Sequence, residues 1–165
     1  MTPKAVVFDI GNVLITWNPE RLYDQLLDKV ERERIFEAVD LHGMNDRIDR
    51  GEPFKETVYA TAEKYPEHAE LIRIWHDRWI EMASPLIDGS WAILRKLRSE
   101  GIPVYALSNF GVESFAYAET QYPELCQFGI LGFSISKAFD AEIRQCIDRD
   151  ALAAKLTQDR PATID

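Results

Sequence analysis

The chain has 165 residues, enough for one compact domain or a core with a small insertion. Its formal net charge of −9 argues against nucleic acid as a main partner, since neutralising phosphates takes clustered Lys and Arg. A small anion held locally by backbone amides is still compatible with that charge. Cys126 and Cys146 are too few for a disulfide framework and too far apart for a CxxC motif, so they read as reduced thiols. The apolar run ending at Asp9 is too short for a signal peptide or a membrane span. A soluble, cytoplasmic protein without a membrane partner is expected.

Ala5-Val6-Val7-Phe8 is continuous, apolar and rich in β-branched residues, the pattern of a buried strand in a parallel sheet. Asp9-Ile10-Gly11-Asn12 takes the chain sharply out of the sheet. Asn18-Pro19-Glu20 reads as a helix N-cap with Pro at the first helical position. From there to about Met82 the periodicity is helical and predicts about four helices with no strand among them. Leu22, Leu26 and Val30 are expected on one face, and Ile35, Phe36 and Val39 on another. Gly43, Gly51-Glu52-Pro53 and Tyr65-Pro66 punctuate the run. Leu71, Trp75, Trp79 and Met82 form a stripe at near-helical spacing, which is the usual mark of helix packing.

Ser84-Pro85 ends this run. A helix carrying Trp91, Leu94 and Leu97 follows and stops at Gly101. Ile102 to Leu107 is a second strand, with Pro103 near its start where a missing N–H is tolerated. Gly111 to about Thr120 is helical, Phe128 to Ile135 reads as a third strand, and the tail from Asp140 reads as one helix. Strand, helices, strand, helix, strand predicts an α/β fold around a parallel sheet. Such sheets bind ligands beyond the carboxyl ends of their strands, where Asp9 and Ser108-Asn109 both fall. Taken singly, each also reads as an ordinary turn or cap.

Together they carry a resemblance. Val6-Val7-Phe8-Asp9-Ile10-Gly11-Asn12-Val13-Leu14-Ile15 resembles the first motif of the haloacid-dehalogenase superfamily, and Ala106-Leu107-Ser108-Asn109 resembles its second. Trp17-Asn18-Pro19-Glu20-Arg21-Leu22-Tyr23 and Asn45-Asp46-Arg47-Ile48-Asp49-Arg50-Gly51 are similar to phrases of a phosphatase-like branch with a helical cap after the first motif. The resemblance implies a Rossmann-like core with a parallel sheet over residues 1–17 and 84–165, and an inserted four-helix cap over 18–83. It implies that Asp9 attacks phosphorus to form an aspartyl-phosphate that water hydrolyses. Gly11, Asn12, Ser108 and Asn109 would hold the phosphoryl group. Mg2+ would sit on the Asp9 carboxylate and the Gly11 carbonyl. A small soluble phosphate ester is the implied substrate, and the apolar cap helices are compatible with a homodimer.

The sequence departs from that pattern in two places. Gly11 stands where many phosphatases of the family place a second Asp as general acid/base, help typically worth about 10²–10⁴-fold. In the tail, Lys137 is the best match to the third-motif Lys, although Ala138 follows it instead of Pro and it comes a few residues early. An ordinary surface lysine would look the same. No acidic pair follows an apolar strand after it; Asp148 and Asp150 are at i and i+2 on an expected helix and diverge. The chain stops about one strand–helix unit short of the pattern. Two other readings follow. One is a metal-independent 2-haloacid dehalogenase using the same Asp nucleophile on carbon. The other is a shortened, catalytically impaired relative that acts by association. His42, His68 and His76 lack ligand spacing, Glu31-Arg32-Glu33-Arg34 reads as a solvated face, and Arg47, Arg50 and Trp17 are candidates to line a cleft.

Overall fold

The computed structural model describes residues 3, 5–127 and 129–133. Lys137, Cys146, Asp148, Asp150 and the expected tail helix lie outside these residues.

The β-branched run forms β1 (Val6–Asp9), paired in parallel with β2 (Val104–Ser108) in a register from Val6–Val104 to Asp9–Leu107. β3 (Gly129–Phe133) pairs in parallel with the other edge of β2, with a register shift between Ala106 and Ser108. The pleat sends alternate side chains to opposite faces. Val104, Ala106 and Ser108 are buried on one face; on the other Tyr105 is buried, but Val7 and Leu107 are 51% and 46% exposed.

Between β1 and β2 come α1 (Pro19–Tyr23), α2 (Lys29–Val39), α3 (Leu41–Asp49), α4 (Phe54–Lys64), α5 (Ala69–Asp77) and α6 (Trp79–Met82). α7 (Asp88–Ser99) precedes β2 and α8 (Val112–Gln121) follows it. The caps are chemical. The side-chain oxygens of Asn18, Asp28 and Asp40 accept from the amides of Arg21, Glu31 and Gly43 at 2.9, 2.9 and 3.0 Å. Pro19 occupies the first helical position as expected. No helix among the described residues is long and apolar enough to cross a membrane.

Three expectations need correction. The described residues are mostly helical around a small parallel sheet, not a Rossmann-like α/β core. The physical reason is strand order. In β1-β2-β3 each strand is added on the same side, so right-handed crossovers place both connections on one face. There is no reversal of order among these strands, hence no doubly wound arrangement, and Val7 and Leu107 on the other face are half exposed. The helical segment is also not a four-helix unit: six α-helices, α1 to α6, lie within residues 18–83. The expected Leu22–Leu26–Val30 face fails because the chain leaves helix after Tyr23 and Asp28 caps a new one. Leu22 is buried, while Leu26 and Val30 are 41% and 76% exposed.

The helices and the sheet share one apolar cluster, from Ile10, Leu14 and Ile15 through Trp75 and Trp79 to Trp91, Ala106 and Phe115. Backbone bonds stitch the chain where it leaves the sheet to where it returns: Thr16 N–H to Pro85 O and Asn18 N–H to Met82 O, both 2.9 Å. The Trp91 indole donates to Leu14 O at 2.8 Å. The Arg21 guanidinium donates to the Glu81 carbonyl at 2.7 Å, to the Ser84 carbonyl and to Ser84 Oγ.

Candidate active site

The parallel register brings Asp9 and Ser108 to neighbouring strand ends. A cavity of about 200 Å3 opens there, lined by Asp9, Gly11, Asn12, Ser108 and Asn109. These are the residues singled out from the sequence, apart from Lys137, which is outside the described chain. The structure adds Asn45 and Asp49 from α3, with Trp79 and Phe110.

Asp9 is exposed, and its Oδ1 accepts the Ile10 amide at 2.7 Å. That bond orients the carboxylate and leaves the other oxygen toward solvent. The turn after it is self-contained. Asn12 N–H bonds Ile15 O at 2.7 Å, and Leu14 and Ile15 N–H bond Ile10 O at 2.9 and 3.0 Å. Most amides expected to cradle a phosphoryl group are therefore already engaged. Asn12 takes a left-handed conformation (φ 55°), which Asn tolerates, and its Oδ1 accepts from Trp17 N–H at 2.9 Å. Its side-chain NH2 is the donor it retains toward the cavity. Ser108 is buried, and its Oγ accepts the Phe110 amide at 3.1 Å, so its hydroxyl proton can go to a ligand.

α3 supplies the second carboxylate. Asn45 and Asp49 are one helical turn apart, on one face. The Trp75 indole, a donor only, bonds Asn45 Oδ1 at 3.1 Å. The amide orientation is thereby settled, and Asn45 Nδ2 donates to Asp49 Oδ2 at 2.8 Å. Burial pushes the Asp49 carboxyl up to about 6, helped by the nearby Asp46 charge and opposed by hydrogen bonds from the Gly111 backbone and Asn45. Aromatic rings wall the cavity: Trp79 lies 5.8 Å from Trp17 and 5.5 Å from Phe110, centroid to centroid.

Among the described residues the lining includes two carboxylates and no cationic side chain. Arg47 and Arg50, candidates for the cleft, instead pair with Glu52 at 3.1 Å and Asp46 at 3.7 Å; Trp17 does line it. Arg32, expected on a solvated face, is tucked in beside Asp24 at 3.2 Å with its side chain 13% exposed. His42 and His76 pair with Glu20 at 3.0 Å and Asp77 at 2.8 Å.

The donors suit a sparse Mg2+ site. Mg2+ takes hard oxygen ligands and usually keeps several waters, with only one or two carboxylates. Asp9 offers one carboxylate oxygen beyond the Ile10 bond, and none of the turn's backbone bonds ends on the Gly11 carbonyl. Among the described residues no group of three or more His, Cys, Asp or Glu could form a fuller cage.

Sequence reasoning passed over Asn45, Asp49, Trp79 and Phe110. The i, i+4 spacing of Asn45 and Asp49 was the available signal, within a phrase already noted for its resemblance. Trp79 was hidden in a stripe that does pack the core: Trp75, Trp79 and Met82 are all buried. Compared with family models, curated proteins and solved structures, the chain matches none of them.

Proposed function

We propose that this protein is a phosphomonoesterase of the haloacid-dehalogenase type, acting on a small phosphate ester through an aspartyl-phosphate on Asp9. The observation that carries the reading is the convergence of Asp9, Asn12, Ser108 and Asn109 on one small cavity at the ends of adjacent parallel strands. Asp9 is accessible and held by its own turn, as a nucleophile needs to be. Ser108 and the Asn12 and Asn109 amides supply neutral donors for phosphoryl oxygens. The cavity volume suits a phosphoryl group with a small leaving group.

An anionic nucleophile repels an anionic substrate, and no cationic side chain among the described residues lines the cavity, so the reading calls for a positive charge. Asp9 and the Gly11 carbonyl would hold Mg2+, which when bound would offset that repulsion and polarise the phosphoryl group.

The test is phosphate release from p-nitrophenyl phosphate and a panel of small phosphate esters, with Mg2+ and with EDTA, for the chain and for Asp9→Asn. Turnover that needs Mg2+ and drops by at least about 10³-fold in Asp9→Asn is expected, because that substitution removes the nucleophile. Turnover that survives Asp9→Asn, or none from the folded protein, would refute the reading.

The aromatic walls favour one alternative, attack by Asp9 on the carbon of a small 2-haloacid. Halide release in EDTA, without phosphatase activity, would select it.

A further inference from the structure

We propose that Asp49 is the acid–base residue of this site: it donates the proton to the leaving oxygen and then takes the proton from the hydrolytic water. The inference rests on the phosphomonoesterase reading and supplies what that reading lacks, since Gly11 stands where the proton donor would otherwise be.

Three features of the geometry support it. Asp49 lines the same cavity as Asp9, but arrives from α3, a different element. It therefore approaches the cavity from a different element than the nucleophile does. It is held by a chain of hydrogen bonds, from the Trp75 indole through Asn45 to Asp49, and by the Gly111 backbone. That positioning is what general catalysis demands of a proton donor. It is also half-buried beside the aromatic walls, an environment that favours the neutral carboxyl.

The charged groups around it do not cancel this. Asp46, on the same helix, raises its proton affinity. Asp9, on β1, lines the same cavity and is not a cation. Arg47 and Arg50 are paired with Glu52 and Asp46, and Glu113 on α8 accepts the Phe54 amide at 2.8 Å. A carboxyl that titrates at about 6 is close to the optimum for acid–base work near neutrality.

The steps balance. An Asp9 carboxylate oxygen bonds to phosphorus, the bond from phosphorus to the leaving oxygen breaks, and the Asp49 proton passes to that oxygen. An alcohol, the aspartyl-phosphate and an Asp49 carboxylate result. Water then attacks phosphorus, the bond from phosphorus to the Asp9 oxygen breaks, one proton of the water passes to Asp49, and inorganic phosphate leaves with the Asp9 carboxylate restored.

The experiment compares p-nitrophenyl phosphate, whose leaving group departs without a proton, with glycerol phosphate, whose alkoxide does not. First-turnover rates are measured with Mg2+ for the chain, Asp49→Asn and Asp9→Asn. Asp49→Asn is expected to slow the first turnover of glycerol phosphate by about 10²-fold or more. It should release nitrophenolate as a stoichiometric burst at close to the unmodified rate, followed by slow turnover because the water lacks its base. In the unmodified chain, the first turnover of glycerol phosphate should fall as pH rises through about 6, and that of the nitrophenyl ester should not. Equal slowing of both first turnovers, or no slowing of either, would overturn the assignment while leaving the phosphatase reading intact. Inactivity of the unmodified chain on both esters, or activity retained by Asp9→Asn, would overturn both.

Discussion

Asp49 has a consequence for stability that is independent of catalysis. Its carboxyl titrates at about 6 in the folded chain against 3.8 ordinarily. Between these values the folded state holds the proton and the unfolded state has lost it. Stability should therefore fall as pH rises through this window and level off above it. Allowing for partial exposure, the fall should be roughly 1–2 kcal/mol. Asp49→Asn removes the titration, so its urea midpoint should exceed that of the unmodified chain near pH 7 and match it more closely near pH 4. Equal pH slopes for the two proteins would mean that burial does not raise this carboxyl. Tyr23 shows the same physics without a functional role: burial pushes its phenol upward, and its hydroxyl is satisfied by Leu71 O at 2.8 Å.

At the level of elements, the site depends on how the end of α3 meets the loop after β2. Gly111 sits at this contact, and a Cβ there would come within 2.8 Å of the Ile48 carbonyl. Backbone is unable to swing aside as a side chain would. Gly111→Ala is therefore expected to push α3 away, costing about 1–3 kcal/mol by overpacking. It should also disturb Asp49, which the Gly111 backbone bonds. Chemical denaturation checks the cost, and a midpoint unchanged within error would show that the contact relaxes freely. Gly111 has φ −60°, so the argument is about space and not about backbone conformation.

Across the whole molecule, helices and sheet share one buried cluster. Asn18 N–H to Met82 O and the Trp91 indole to Leu14 O join segments distant in sequence. The helical part and the sheet should therefore open together. Native-state hydrogen exchange is expected to give the slowest amides of α5 and β2 the same opening free energy. A gap larger than about 1 kcal/mol would mean that they are separate cooperative units.

Local chemistry made much of this legible. The Val6–Asp9 strand, the Asn18 cap with Pro19 behind it, the Trp91 helix and the stop at Gly101 each depend on residues close in sequence. The placement of Asp9 and Ser108 at strand ends needed only strand boundaries. The size of the sheet and the order of its strands were not legible, because alternating strands and helices do not state on which side each new strand is added. The chain's own residues determined that a carboxylate ends β1 and a hydroxyl ends β2. Only the tertiary structure decided that Asp49 would face them. That depends on α3 docking against a loop some sixty residues further along, a contact set by shape and burial over the whole cluster.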